Sequence, residues 1–475
     1  MDSVRTEGEQ PYDINDSFTS KWQYIPLDLL YIIIDLYLMY EPDGDPRLFM
    51  QVCHHWRTAL QHKASLWSKV ALAHPTVYPD RRRVWGSEIC RTPAELQAAL
   101  ERTTCGTIDL QCWFESSRWG AIDEPGALGG MIDIIKTSRS FLRIRRLYAR
   151  SGRVNLMEKI NFDEWEFPVL EEARLHVSSA ALNKRIQETA HRLRFLSLIE
   201  LDDSRFDWNL SKMTLPLKVE LFGETKGAHL RPHLCQMILS APNIAHLTLH
   251  SVPLPKDQRL FLPTLQSLEI ILTHFEFNLD CPSLHTLDLH ASFIPTSGTN
   301  PLILPSLKIL KLQALETTEL VHLHATSLET LEIHRLDGEY VDFIQIFVEQ
   351  VIKPGHIHPK ILWLQDVAIN SSLPSILNQI PDLVEICIAD CHVGVQFFEA
   401  LAGCSLPAEP DIYRWQPICP SLQIFKYQIY ADSLHNPIPV DMSAWLAMAV
   451  EARSKGGYPI KAAIRNKSWE PWTYI

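Results

Sequence analysis

The sequence predicts an α/β protein in which a small group of N-terminal helices precedes a long, irregular solenoid of parallel strands. Two patterns support this fold class. Apolar residues recur at helical spacing between residues 21 and 72, and the motif Pro-x-Leu-x-x-Leu-x-Leu recurs from residue 168 onward. The hydrophobic content of 46% in 475 residues indicates enough apolar material for a large core.

Three short helices are predicted near the N-terminus. Pro26 suits the first position of a helix, where its missing N–H is not needed. The segment EPDGDP interrupts this helix, and Asp45 with Pro46 suits the start of a second one. The apolar residues at helical spacing are Leu29, Ile32, Ile33 and Leu36 in the first helix, Leu48, Val52, Trp56 and Leu60 in the second, and Leu66, Trp67 and Val70 in a third short turn.

The repeat has a period typical of leucine-rich repeats. Prolines 242, 263, 282 and 305 are separated by 21, 19 and 23 residues. The paired apolar positions of the clear copies are Leu247 and Leu249, Leu268 and Ile270, Leu287 and Leu289, Leu310 and Leu312, Leu331 and Ile333, Ile386 and Ile388, and Phe425 and Tyr427. Weaker copies contain Leu175, Leu196, Val219, and Leu362 with Leu364; Ile108 with Leu110 and Ile144 with Leu147 are expected to be the first strands.

Side chains between the paired leucines are expected to form rows on the outward face of the strands. Leu-x-Leu has a period of two, so the leucines face one side and x faces the other. One row is predicted to contain Thr248, Glu269, Asp288, Lys311, Glu332, Cys387 and Lys426, and its neighbour His250, Ile271, His290, Gln313, His334, Ala389 and Gln428. The hypothesis is that His250, Glu269, Asp288, His290, Lys311, Glu332 and His334 bind a substrate protein with a basic patch. The alternative is an ordinary polar surface facing water.

These patterns divide the chain into five parts. Residues 1–20 are read as a flexible tail, 21–72 as the helical module, and 73–167 as a linker with the first irregular repeats. Residues 168–440 form the solenoid, and 441–475 form a cap, with a helix from Asp441 to about Arg453 and a final strand over 460–464.

Composition argues against a nucleic-acid or membrane protein. The formal net charge is −12, which disfavours coating a phosphate backbone. The arginine cluster between Arg139 and Arg153 is interpreted as a solvated face, with a local basic patch as the alternative. The ten cysteines accompany no signal peptide, which favours reduced thiols in the cytoplasm or nucleus. No apolar run approaches the length of a membrane span.

The sequence offers no enzymatic signature, so no catalytic residue, metal or cofactor is expected. It lacks GxGxxG, GxxxxGK[ST] and GxSxG. Cys387, Cys391 and His392 suggest a metal site, but no second ligand pair accompanies them, and packing is the preferred interpretation. His54 and His55 are interpreted as solvated or partner-facing. The aromatic residues Trp113, Phe114, Trp119 and Trp165 form either a ligand box or a packed joint.

Residues 25–70 resemble the F-box, a small helical module. The match lies in the strings IPLDLLYIIIDLYL, DPRLFMQVCHHWRTAL and ASLWSKV, and above all in Val52, Cys53, Trp56 and Arg57. The chain departs from the usual pattern in its long EPDGDP loop and in His54 and His55, which replace a basic pair. As a whole it resembles the F-box proteins abundant in mushroom-forming fungi, in which an F-box precedes irregular leucine-rich units.

This resemblance implies a substrate-recognition adaptor of a Skp–cullin–F-box ubiquitin ligase. The F-box would bind a Skp-type adaptor, and through it a cullin–RING ligase, while the repeats would bind an unknown protein substrate. The residues implied in adaptor binding are Pro26, Leu27, Leu29, Ile33, Leu48, Val52, Trp56, Leu66 and Trp67. The alternative is a leucine-rich-repeat scaffold or binding protein that acts outside a ubiquitin ligase.

Overall fold

The computed structural model divides the chain into two compact units, Met1–Leu193 and Arg194–Ile475. We call them the N-terminal and the C-terminal unit. The structure describes residues 25–40, 46–63, 67–73, 88–103, 106–114, 125–151, 160–176, 179–199, 208–223, 237–238, 240–252, 260–271, 279–290, 302–313, 323–336, 348–352, 357–367, 373–391, 393–403, 418–428, 442–465 and 471–474. The predicted tail over residues 1–20 lies outside them.

The N-terminal unit begins with a small helical module. It contains α1 (Leu27–Tyr40), a 3-10 helix (Pro46–Gln51) and α2 (His54–His62). The carbonyl of Pro26 accepts the first helical hydrogen bond of α1, from Leu30. The core of the module contains Leu30, Ile34, Trp56, Ala59, Leu60 and Trp67.

The predicted second and third helices need correction. The second was expected to run unbroken from Pro46, but Cys53 is extended (φ −160, ψ 170) and caps α2, its Sγ accepting a hydrogen bond from the Trp56 amide at 3.5 Å. Since this break rotates the chain between the two parts of the expected stripe, Leu48 and Val52 are exposed while Trp56 and Leu60 are buried. Val70, expected in a third helix, lies in a strand, and Asp45 lies outside the described residues.

A parallel sheet follows in the N-terminal unit. Its strands pair in the order β2, β1, β3, β4, β5, all parallel. Their bounds are β1 (Lys69–Ala73), β2 (Glu88–Cys90), β3 (Ile108–Phe114), β4 (Ile144–Ser151) and β5 (Glu172–His176). The helices are α3 (Pro93–Arg102), α4 (Pro125–Thr137), a 3-10 helix (Ser140–Arg143) and α5 (Ala180–Thr189). The strands expected around Ile108, Ile144 and Leu175 are thus confirmed.

The C-terminal unit contains a longer parallel sheet. Its strands pair in the order β6, β7, β8, β10, β12, β14, β16, β17, β18, β19, β20. Their bounds are β6 (Phe195–Ile199), β7 (Leu217–Phe222), β8 (Ile244–His250), β10 (Ser267–Ile271), β12 (Thr286–His290), β14 (Ile309–Gln313), β16 (Thr330–Leu336), β17 (Ile361–Val367), β18 (Glu385–Ala389), β19 (Ile424–Gln428) and β20 (Lys461–Arg465). The parallel strands that the repeat predicts are therefore present.

Shorter elements connect these strands. Two ladders of two residues each are formed by β9 (Leu260–Phe261) with β11 (Leu279–Asp280), and by β13 (Leu302–Ile303) with β15 (Leu323–His324). The helices are a 3-10 helix (Leu210–Lys212), a π-helix (Val348–Ile352), α6 (Leu373–Leu377), α7 (Val395–Ala402) and α8 (Met442–Lys455). Across the part of the chain that the structure describes, no helix combines the length and apolar character needed to cross a membrane.

Three consecutive repeat copies, which begin at Pro263, Pro282 and Pro305, enter their strands through a proline turn. In the copy that begins at Pro263, the amide of Leu265 donates to the carbonyl of Leu262, as in a β-turn with proline at its second position. The same bond joins Leu284 to Cys281 and Leu307 to Leu304. Because the turn places the first leucine inward, all three leucines of a copy are buried.

The predicted C-terminal cap is present in its described part. Helix α8 ends where Gly456 and Gly457 follow, and β20 overlaps the strand expected over residues 460–464, which is not the final strand. The last strand, β21 (Thr473–Tyr474), pairs antiparallel with β20. It covers an edge that would otherwise expose unpaired backbone groups.

The sequence did not reveal that Arg453, in α8, is fully buried. Its guanidinium donates to the carbonyls of Leu401, Ile418, Cys419 and Tyr458 at distances between 2.8 and 3.4 Å. Burial lowers the pKa of this guanidinium. Several backbone acceptors therefore depend on one side chain.

We predict that Arg453→Met destabilises the protein by about 3 kcal/mol, because it leaves buried carbonyls without donors. Urea unfolding followed by circular dichroism measures this loss. Lys455→Met, at an exposed position on the same helix, is the control; it removes only a solvent-exposed ion pair with Glu451 and should shift the midpoint little. Equal midpoints for the two variants would contradict the role assigned to Arg453.

Candidate partner-binding surfaces

The first candidate surface is the apolar side of α1. Leu29, Ile32, Ile33 and Leu36 are spaced as one helical stripe and are 52, 53, 39 and 45% exposed. We call these four residues the apolar stripe. Leu27, Leu48 and Val52 are also exposed large apolar residues of the module. Helix α1 is apolar on nearly all sides, and the small module buries only the side that carries Leu30 and Ile34.

Polar contacts fix α1 against the rest of the module. Lys63, after α2, binds Asp35 of α1 at 2.7 Å and lies 4.7 Å from the ring of Tyr31. The Tyr31 hydroxyl donates to the carbonyl of Ala59 at 3.2 Å. The indole N–H of Trp67 donates to the carbonyl of Leu60 at 2.8 Å. The apolar stripe is thus held in place before any partner arrives.

The residues predicted to bind an adaptor divide between the core and the surface. Trp56 and Trp67 belong to the core. The exposed ones are Pro26, Leu27, Leu29, Ile33, Leu48 and Val52. Leu66 lies outside the described residues. His54 and His55 are both exposed at the start of α2.

The second candidate surface is the set of outward rows in the C-terminal unit. Strand pairing aligns Glu269, Asp288, Lys311 and Glu332 side by side, as the repeat predicts. The next row aligns His250, Ile271, His290, Gln313 and His334. The degenerate copy adds Trp363 and Gln365 to the two rows.

Several row members are less exposed than expected. Thr248, Cys387, Ala389 and Gln428 are buried. Longer neighbours account for this in two cases: Thr248 donates to Glu269 at 3.1 Å, and Gln428 accepts from Arg465 at 3.0 Å. The row members at the centre, from β10 to β16, are all partly exposed.

The acidic residues at this centre are already paired within the protein. The imidazole Nε2 of His290 lies 2.8 Å from Asp288 and 3.8 Å from Glu269. The ammonium of Lys311 lies 2.9 Å from Glu332, and His334 lies 3.4 Å from the same carboxylate. These contacts reduce the negative charge available to the basic partner that the sequence suggests.

The pKa values reflect these pairs. The hydrogen bond to Asp288 raises the pKa of His290 above its usual value, although burial acts in the opposite direction. Burial acts to raise the pKa of Glu332, but hydrogen bonds from His334 and Lys311 outweigh this effect and lower it. Both shifts favour the charged, paired forms.

Glu269, Asp288 and His290 also have the donor types that a divalent cation requires. Their ligand atoms lie within 4.8 Å of one another. The hydrogen bond between His290 and Asp288 already accounts for this proximity. These three residues therefore form an ion-pair cluster.

The cysteines suggested as metal ligands are packed thiols. Burial raises the pKa of both Cys387 and Cys391 to about 12. The Sγ of Cys391 donates to the carbonyl of Ala389 at 3.1 Å and accepts from the amide of Val367 at 3.4 Å. His392 lies outside the described residues.

The aromatic residues suggested as a ligand box belong to separate groups. Trp165 packs with Phe141, Phe162 and Phe167. Trp113 packs on Tyr148, with ring centroids 5.0 Å apart. Trp119 lies outside the described residues, and Phe114 belongs to β3.

Ile32 and Leu36 are further surface residues that the adaptor-binding prediction omitted. Their helical spacing with Leu29 and Ile33 is visible in the sequence, but spacing alone does not distinguish the buried side of α1 from the exposed side. No sequence pattern predicts the role of Lys63 and Tyr31 in fixing α1, because their contacts join positions that are distant in the chain.

We predict that His290→Gln lowers stability by up to about 1 kcal/mol in a pH-dependent way. Because the folded pKa of His290 is raised above 6.5, its stabilisation is complete below pH 6.5 and is lost as pH rises through the folded pKa. Unfolding free energies of both proteins from pH 5.5 to 9 should converge with rising pH. His246→Gln, an exposed histidine of β8, is the control. A difference that stays constant with pH would contradict the prediction.

Comparison with known proteins assigns no family, since the chain matches no protein-family model and no curated protein.

Proposed function

We propose that the protein is the substrate-recognition subunit of a Skp–cullin–F-box ubiquitin ligase. In this proposal the helical module binds a Skp-type adaptor, and the parallel-strand units bind the substrate protein. The observation that carries it is the apolar stripe: four large aliphatic side chains exposed on a helix whose opposite side is buried. The protein itself has a binding role and no catalytic one.

The F-box-like signature residues have structural roles that support this division. Trp56 fills the core, and Cys53 caps α2. Arg57 donates through Nε to the carbonyl of Met50 at 3.1 Å, which ties α2 to the preceding 3-10 helix. The signature thus builds the module, and the aliphatic residues remain for a partner.

Exposure of this kind favours association with another protein. Burying a leucine or isoleucine side chain contributes about 1.5–3 kcal/mol. An exposed apolar patch of several such residues marks an interaction site in a soluble protein. A helical stripe also fits recognition in which an amphipathic helix packs against a partner through residues i, i+3, i+4 and i+7.

The thiols are consistent with the compartment where such a ligase would work. The cysteines in the described ranges are Cys53, Cys90, Cys112, Cys281, Cys387, Cys391 and Cys419, and each is a free thiol. Reduced thiols are typical of the cytoplasm and nucleus. The proposal therefore places the protein in one or both.

We predict that Ile32→Ser with Leu36→Ser weakens binding to a Skp-type adaptor by about 2 kcal/mol or more, because two interface anchors are lost. Both residues are exposed, so the fold should be retained. Isothermal titration calorimetry against the purified adaptor measures the change, and circular dichroism checks the fold.

Ile303→Ser with Met448→Ser is the matched control, since both residues are comparably exposed in the C-terminal unit. The control should bind like the wild type. Wild-type protein that does not bind the adaptor would refute the proposed function and favour a scaffold outside the ligase. Undiminished binding by the α1 variant would refute the assigned surface.

A further inference from the structure

We infer that the outward face of the sheet in the N-terminal unit is a binding groove for an acidic peptide segment. This groove has a volume of about 640 Å³ and is lined by residues that include Lys69, Trp113, Arg146, Tyr148, Arg150 and Arg174. Its size falls within the range of about 300–1,000 Å³ that ligand sites occupy. We call it the basic groove. The binding of an acidic peptide is argued from the groove itself. That this peptide belongs to a substrate protein rests on the proposed function.

Strand register brings the lining residues together. Pairing aligns Lys69, Asp109, Arg146 and Glu172 in one row across β1, β3, β4 and β5. The next row aligns Gln111, Tyr148 and Arg174. Neighbouring strands lie about 4.8 Å apart, so each row presents its side chains at that spacing.

The groove carries an excess of positive charge. Its lining contains four cationic side chains, Lys69, Arg146, Arg150 and Arg174, and two acidic ones, Asp109 and Glu172. One of the two acidic groups is already paired from outside the lining: Arg145 binds both carboxylate oxygens of Asp109 at 3.0–3.2 Å. Four lining cations minus two lining anions leaves two positive charges, in a chain whose net charge is −12.

The remaining carboxylate is shared between two guanidinium groups. Glu172 lies 2.7 Å from Arg174 and 3.2 Å from Arg146. Each guanidinium presents five N–H donors in a planar fork, so it retains donors for a second carboxylate. Lys69 has no ion-pair partner among the residues that the structure describes. These donors lie on three different strands.

The aromatic residue Trp113 argues against a nucleic-acid ligand whose bases would stack in the groove. Trp113 is only 4% exposed, so its ring offers little surface to a nucleotide. The Tyr148 hydroxyl lies 3.3 Å from Nε2 of His176. Burial and the charge of Arg150 lower the pKa of His176 to about 4, so this histidine is neutral at pH 7 and adds no charge beside Tyr148.

The occupant that fits these charges is a peptide with several carboxylates. The cations are spread over neighbouring strands, which suits a chain carrying charges at intervals better than a single small anion. Asp109 and Glu172 lie among these cations, so a phosphate backbone, which carries a charge at every nucleotide, would meet both of them. An extended peptide points alternate side chains to opposite sides and can keep its carboxylates away from them. An extended acidic segment can place its carboxylates at the cations and its backbone between them.

The test uses the full chain and fluorescein-labelled hexaglutamate, with hexaglutamine as the neutral probe, in fluorescence polarisation at low salt. Hexaglutamate should bind, hexaglutamine should not, and added salt should weaken binding through screening. Lys69→Gln with Arg174→Gln should lower the affinity roughly tenfold, as expected for the loss of two partly exposed ion pairs.

Two further variants separate loss of charge from misfolding. Glu172→Gln removes the competing carboxylate and should raise the affinity for hexaglutamate roughly threefold. Lys136→Gln with Lys184→Gln removes two charges from α4 and α5, outside the groove, and should change nothing. Equal binding by all variants would overturn the proposal, and so would preference for an oligouridylate over hexaglutamate.

The adaptor titration on the same proteins distinguishes the two proposals. Lys69→Gln with Arg174→Gln should retain wild-type adaptor affinity, because neither residue belongs to the apolar stripe. Failure of peptide binding with adaptor binding intact would overturn the basic groove alone. Failure of adaptor binding with peptide binding intact would overturn the proposed function and leave the groove.

Discussion

A short strand with two leucines on one side cannot bury them alone, and the large sheets of this protein follow from that constraint. Each Leu-x-Leu unit is stabilised by in-register pairing with its neighbours, which joins the leucines into one continuous core. The same pairing fixes the opposite face, because a period of two places every x residue beside its counterpart. Both the charged rows and the basic groove result from this register.

Unlike the strands of the sheets, the helical module does not bury all of its large apolar residues. It has too few elements to cover α1 on all sides, so one side packs on Trp56 and Leu60 while the apolar stripe remains exposed. The contacts of Lys63 and Tyr31 hold this arrangement without covering the stripe. A partner that buries the stripe would complete a core that the module alone leaves open. Such a surface fits a subunit that works in an assembly.

Much of the fold was predictable because its signals are local and periodic. The aligned rows followed from the spacing of the repeat, and the C-terminal helix was also expected from the sequence. Contacts between distant positions were not predictable. Arg453 reaches carbonyls near residues 401 and 418, and Arg145 neutralises Asp109 on another strand. The pairing of Glu332 with Lys311 likewise compensates charge on the mixed acidic and histidine-bearing face that was expected to attract a basic partner.

Hydrogen–deuterium exchange of the full chain, with and without a Skp-type adaptor, tests the central claim most directly. If the apolar stripe is the adaptor surface, amides of α1 between Leu27 and Tyr40 gain protection on binding, since local opening of the helix then also breaks the interface. Amides of β10, β12 and β14, which carry the outward rows of the C-terminal unit, should be unchanged. Protection of these strands with α1 unaffected would contradict the account.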